Sequence, residues 1–342
     1  MPPTPPPCAV APGATGPRWS VVATVREPAA LLQAFAAHHL ALGALHVHLY
    51  LDAPNPDLRA AIGGDPRVRL IDCDADFYDA LGRRFPKWIN RRQIINANHA
   101  ETQSAADWLF HLDADEFLAE DPAPELSAAP PDALGFWVPN GERVFLHATP
   151  PETIFDGALA LPLTNIRRLD RVRGPDMSAL TRFGLLAHDM GKGALRVGHA
   201  VGAGIHRPRV GPDATHVAQD LRISHFDGMT RLHWALKLQR HAQNGIASKP
   251  GRTHVGYRDR QIALAAESGG DLAPIFTLHD RLRVLPPRIA RQLTRLGKLV
   301  PTGVDAAAAI AQVFPGRAVD LSIAAFDAAL GATEAAPVAR QA

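Results

Sequence analysis

The sequence predicts an α/β protein, with a mostly parallel sheet carrying helices on both faces and a helical extension at its C-terminal end. Three observations lead there. Short apolar, β-branched runs alternate with helix-length segments through the first 140 residues, the pattern of βαβ units. Hydrophobic residues make up 46% of 342, enough for a sizeable core in one large domain plus an extension, or in two domains. No window approaches the roughly 18 uncharged apolar residues of a membrane span.

In chain order, seven prolines in the first 17 residues block helix and sheet hydrogen bonding, so 1–17 is expected to be a disordered tail. WSVVATV (19–25) reads as a buried strand. In PAALLQAFAAHHLALG (28–43), Pro28 suits a helix first turn and Gly43 its end, with Leu31, Leu32, Phe35 and Leu42 at near-helical spacing. LHVHLYLD (45–52) alternates and reads as a strand. APNPDLRAAIGG offers a turn and short helix, RVRLIDC (67–73) a third strand, and 88–106 a helix with few breakers. DWLFHL (107–112) and GFWVP (135–139) are the fourth and fifth strands. Further on, Thr230 and Gly245 bracket a helix, and 286–299, 304–314 and 319–331 are helix candidates. The expected divisions are 1–17, 18–245 and 246–342.

A formal charge of +2 argues against a nucleic-acid binder, which usually has a strong basic excess. Two cysteines, Cys8 and Cys73, are too few for a disulfide framework, and a reducing, cytoplasmic setting is the simpler reading. The N-terminal stretch lacks the charged and apolar regions of a secretory signal.

WLFHLDADEFL (108–118) places Asp113, Asp115 and Glu116 directly after an apolar run. Buried carboxylates are costly unless paired or bound to a metal. In parallel sheets ligands bind outside the carboxyl ends of the strands, where these residues and Asp52 fall. Two carboxylates one residue apart can share a divalent cation, and hard oxygen ligands suit Mg²⁺ or Mn²⁺ with a substrate phosphate. An acidic turn capping the next helix is the plainer alternative. A dehalogenase-type phosphatase site would place Thr or Val where Phe117 stands. EFLAED lacks the ligands and central glycine of a calcium loop. His46 and His48 share a strand face, but no CxxC or HExxH pattern supports zinc.

Taken in order, VRE (25–27), HHLALG (38–43), HLYLD (48–52), NRRQIINANHA (90–100) and DADEF (113–117) resemble the family-2-like glycosyltransferases of the GT-A fold. GKGALRVGHAVGAGIHRP (191–208) looks like that family's GK-x-x-x-R segment ending in a histidine, and RISHFDGMTRLHWALK (222–237) like its H-[YF] segment with a lysine-bearing helix. The matches span roughly residues 19–245; the family's usual R-N-E is here Arg26, Glu27, Pro28. The resemblance implies a GT-A, Rossmann-like sheet and transfer of a hexose from a nucleotide-sugar donor, a UDP-sugar, to a hydroxyl of a glycan or lipid-linked acceptor. It implies Mn²⁺ or Mg²⁺ held by Asp113, Asp115 and His225 against the diphosphate, with Lys192, Arg196 and Lys237 as cationic contacts. Glu27 and Asp52 would meet the nucleotide, and Arg92 a phosphate. An inverting transferase needs a general base, for which Glu142 and Asp176 are the candidates. A pyrophosphorylase would carry a glycine-rich loop after the first strand, and ATVREPAALL has no glycine; a non-catalytic nucleotide- or glycan-binding domain is the remaining alternative.

PPRIARQLTRLGKLV (286–300) interleaves Arg288, Arg291, Arg295 and Lys298 with Ile289, Leu293, Leu296 and Val300. Such a basic amphipathic helix can lie on the inner face of a membrane, or pack on the main domain with its charges in water.

Overall fold

The computed structural model describes residues 16–243 and 256–335. All but the last two residues of the Pro-rich stretch, Gly245 and the small-residue C-terminal tail lie outside them.

Strand β1 (Trp19–Val25) is buried along its whole length, as its apolar, β-branched sequence requires. Helix α1 (Ala29–Ala41) follows, and Gly43 ends it with φ 105°, a left-handed conformation that glycine adopts without penalty. Then come β2 (Val47–Leu51), α2 (Pro56–Ile62), capped by the Asn55 side chain, β3 (Val68–Asp72), α3 (Ala75–Ala80), α4 (Ile89–Gln103) and β4 (Trp108–His111). All five residues of β2 are buried, including His48 and Tyr50. Its alternation thus marks two covered faces rather than one wet one.

After β4 the chain makes β5 (Glu116–Leu118), α5 (Ala123–Ala128), β6 (Gly135–Val138), β7 (Asn140–Leu146), β8 (Ala158–Ala160), α6 (Ile166–Arg173), α7 (Met177–Leu180), β9 (Lys192–Arg196), β10 (Thr215–Val217), β11 (Ile223–His225) and α8 (Arg231–Gln243). Thr230 caps α8 as expected, its Oγ1 accepting from the His233 amide at 3.0 Å. Two sheets result. The first has the order β10-β6-β9-β4-β1-β2-β3, with β1 parallel to both β2 and β4, and β9 antiparallel to β4 and β6. From β1 the chain proceeds outward to β2 and β3, then returns through α4 to β4 on the other side. That reversal is a topological switch point, where the carboxyl ends of neighbouring strands leave a crevice.

Beyond residue 255 lie α9 (Tyr257–Glu267), α10 (Ala273–Arg283), β12 (Val284–Leu285), α11 (Pro287–Arg295), β13 (Leu299–Val300), α12 (Ala306–Val313) and α13 (Ile323–Ala335). These elements interlock with the rest. The second sheet runs β13-β8-β7-β11-β5, and β12 also pairs with β7. Helix α12 lies on α1, which explains why α1 is apolar nearly all round. Phe314 and Phe326 enter the same core as Leu31, Phe35, Phe110 and Phe117. A second core joins Leu169, Trp234, Leu238, Ile262, Ile275, Leu282 and Leu293.

The stretch 286–300 departs from the single amphipathic helix expected. Helix α11 stops at Arg295, Gly297 turns with φ 62°, and Leu299–Val300 pair with β8. Arg288, Arg291 and Arg295 face outward. Leu293 is buried in the second core, with Ile289 and Leu299 packed against it. Leu296 and Val300 are partly buried. No helix among the described residues is long and apolar enough to cross a membrane.

Candidate active site

The acidic stretch is the seam between the two sheets: β4 belongs to the first and β5 to the second. The turn closes on itself, with the Glu116 amide donating to the Asp113 carbonyl at 3.0 Å and the Asp113 amide to Glu116 Oε2 at 2.9 Å. Each carboxylate has a cation. Asp113 accepts from Lys192 Nζ and from Gln93 Nε2, both at 2.6 Å. Lys192, wholly buried, also lies 3.1 Å from Glu116 Oε2. Asp115 accepts from Lys237 Nζ at 2.8 Å. Lys237 is 3.0 Å from Asp227, which is in turn held by Arg283 at 3.0 Å and approached by Arg258 at 3.6 Å.

These pairings set the charges. Burial pushes the Asp113 and Asp115 carboxyls up, but Lys192 and Lys237 outweigh it and both end below the usual range. Burial dominates at Glu116, raising it to about 7 against the pull of Lys192. Lys192 itself stays firmly charged, because Asp113 and Glu116 together outweigh its own burial. Its raised pKa and the raised Glu116 cannot both reflect a full Lys192–Glu116 ion pair. The shorter contact decides: Asp113 is the principal partner.

Strand register assembles the next layer. β11 pairs antiparallel with β5 and parallel with β7, which puts His225 abreast of Glu116 on one side and Glu142 on the other. His225 Nε2 lies 3.8 Å from Asp115 and Nδ1 3.6 Å from Glu142. Its ring stacks on His188 at 4.9 Å. Burial disfavours an imidazolium there, yet Glu142, Asp115 and Glu116 prevail and lift His225 to about 9.

Several expected roles are corrected by this geometry. Glu142 lies inside β7, because the chain passes Pro139 and enters the second sheet directly. Its carboxylate accepts backbone amides from Leu186, Ala187 (2.8 Å) and His188 (3.0 Å). Its carboxyl is held below the usual range, burial being outweighed by His225, and three of its acceptor sites are taken by backbone amides. Asp176 is exposed and pairs with Arg281 on the surface. Arg196 lies over the Trp108 ring, donates to the Pro131 carbonyl and lines a different cavity of about 590 Å³. Lys192 is sealed beneath Asp113. Arg92 grips Asp52 at 2.6 and 2.7 Å and the carbonyls of Pro86 and Lys87, so neither member of that pair is uncommitted, although both line the cleft.

The cleft itself, about 630 Å³, opens at the switch point. One wall comes from the ends of β1 and β2 and from α4, including Glu27, Asp52 and Arg92; the other carries His188, Ile205 and His206. Asp113, Asp115, His225 and Asp227 lie between, beside Lys237, Arg240, His241 and Arg258. Ligand atoms of Asp115, His225 and Asp227 fall within 4.8 Å of one another, as do those of Glu116, His188 and His225. Two carboxylates and an imidazole form a donor set that fits Mn²⁺ or Mg²⁺, and Glu116 Oε1 and His188 Nδ1 are buried without hydrogen-bond partners beside it. Asp113, with both oxygens engaged, stands outside either set. The sequence reading passed over Asp227, Gln93, His188 and Arg258; only Asp227, spaced H-x-D from His225, offered a visible signal.

No family model matches the chain, and no curated protein matches it. Among solved structures it is similar to S. aureus TarS, residues 1–349, at 9% identity and TM-score 0.30, covering 77% of this chain and 73% of that one. It is also similar to the galactosyltransferase LgtC in complex with donor and acceptor sugar analogues, at 15% identity and TM-score 0.27, covering 52% of this chain and 58% of that one. A mycobacterial protein aligns at 13% identity and TM-score 0.31, over 66% of this chain and 75% of that one. Similarity at this level transfers no activity, and the functional reading rests on the cleft.

Proposed function

We propose that the protein is a metal-dependent glycosyltransferase of the GT-A type, moving a hexose from a UDP-sugar to a hydroxyl of a glycan or lipid-linked acceptor. One observation carries the reading: at the switch-point crevice, Asp115, His225 and Asp227 converge beside four basic side chains in a cleft of nucleotide-sugar size. Asp115, His225 and Asp227 would hold Mn²⁺ or Mg²⁺. When bound, the metal supplies a Lewis-acid counter-charge for the departing diphosphate. Lys237, Arg240 and Arg258 add positive charge on the same side, and Asp113 is fixed by Lys192 and Gln93 as a rigid rim. The Asp52–Arg92 pair closes the nucleotide end, presenting a neutral, hydrogen-bonding wall to the base and ribose.

Thermal unfolding with UDP, with Mn²⁺ and with both tests this, since a ligand that binds only the folded state raises the melting point. A rise needing both partners, abolished in Asp115→Ala, is expected. No shift with any combination at millimolar concentrations removes the proposal.

A further inference from the structure

Resting on that reading, we propose that His206 is the general base of the transfer, taking the acceptor proton on Nε2 while its Nδ1–H donates to the Gly191 carbonyl. Elimination points to it first. Of the carboxylates on the cleft, Asp52, Asp113, Asp115 and Asp227 each pair with a lysine or arginine, and Glu27 lies 3.5 Å from the buried His233 ring on the β1 side.

The positive argument is geometric. His206 is half-buried on the cleft wall, with Nδ1 3.2 Å from the Gly191 carbonyl. A carbonyl only accepts, so this bond places the proton on Nδ1 and leaves the Nε2 lone pair outward. Among the described residues Nε2 has no hydrogen-bond partner. The wall also fits: His206 stands on the β9 side of the acidic turn, whereas Asp52 and Arg92 stand on the β1–β2 side. A donor with its nucleotide at the latter end leaves the former for the acceptor.

The loop carrying His206 is unusually fixed. The His111 ring donates to the Gly204 carbonyl at 2.8 Å, and Arg207 lies 4.3 Å over the Trp137 ring. Pro208 seats in notches left by Gly135 and Gly193, where an added Cβ would come within 2.7 Å of its ring. Gly191, the acceptor of the His206 bond, has φ 61°, and a Cβ there would meet the Val138 carbonyl at 2.3 Å. Four anchors around one outward imidazole nitrogen are what a proton-transfer group requires.

In the step, the acceptor O–H proton passes to His206 Nε2 and the oxygen bonds to the anomeric carbon. The anomeric C–O bond to phosphate breaks with its electron pair leaving on UDP. The resulting imidazolium returns the proton to solvent.

The test follows UDP release from UDP-glucose, UDP-galactose and UDP-N-acetylglucosamine with Mn²⁺, water serving as acceptor, alongside UDP affinity by calorimetry. In H206Q the rate should fall on the order of a hundredfold or more with UDP affinity unchanged within about twofold. Added imidazole should recover part of the rate in H206A. A side chain that merely packs would not respond to imidazole, so H206A insensitivity overturns the assignment, as does near-wild-type turnover in H206Q. If the wild-type protein neither binds UDP nor releases it, the glycosyltransferase reading itself has failed.

Discussion

The Lys192 ammonium lies 2.6 Å from the Asp113 carboxylate, with no part of the lysine side chain exposed. Asp113 is partly exposed, but the Glu116 carboxylate 3.1 Å from the same ammonium is wholly buried, and removing one partner from a buried ion pair typically costs about 3–5 kcal/mol. Lys192→Met should lose stability on that scale, read as a lower urea midpoint. A loss under about 1 kcal/mol would mean that Asp113 finds another cation or takes a proton.

Lys237 bridges Asp115 and Asp227 at 2.8 and 3.0 Å, between two of the three residues that would hold a metal. An ammonium and a divalent cation compete for the same carboxylates. Lys237→Met should therefore bind Mn²⁺ more tightly than wild type by roughly tenfold or more, given a few kcal/mol for a unit charge at this separation. Asp227 keeps Arg283 in the variant, which favours folding. Titration calorimetry gives the answer, and weaker binding in the variant would make Lys237 a supporter of the metal.

Buried histidines add to the acid sensitivity expected of the fold. Burial, with Arg69 adding to it, holds His48 near about 3, and burial with its neighbour His38 holds His39 well below the ordinary value. For a base with a lowered folded pKa, the unfolded chain takes up the proton first. The stability is complete above about pH 6.5 and is lost as pH falls towards the folded value, each such group contributing a slope of about 1.4 kcal/mol per unit. Urea midpoints should fall from about pH 7 to about pH 5, and less steeply in His48→Gln. A flat profile would show that these imidazoles charge inside the fold.

Asp176 and Arg196 lie away from the cleft, one on an exposed pair with Arg281, the other over Trp108. Replacing either by alanine should leave UDP affinity within about twofold of wild type and stability within about 1 kcal/mol for the exposed Asp176 pair. A loss of UDP binding in either variant would relocate the donor site.

The alternating first half was readable because parallel strands are apolar runs and start or stop signals such as Pro28, Gly43 and Asn55 mark the helices between them. DADEF was readable because acidic residues directly after such a run must be paired or bound. What could not be read depends on register. Glu142 and Glu116 matter because β11 places His225 between them, and no local pattern announces that pairing. Lys192 and Arg92 resemble free basic residues in sequence; burial turned both into clamps on carboxylates. Asp176 and Arg196 failed for the converse reason, since nearness to a motif along the chain is not nearness in space.

The last helix reaches back to the site. Asp327 on α13 accepts from Thr230, whose hydroxyl caps the helix bearing Lys237, and Phe326 packs against His233 on that same helix. During synthesis β1 to β4 emerge early, whereas Asp327, the partner of the capping Thr230 hydroxyl, follows it 97 residues later. Domains tend to fold as units while the chain is being made. A nascent chain of this protein therefore carries its acidic cluster for most of translation before Asp327 and Phe326 can pack against the helix that bears Lys237.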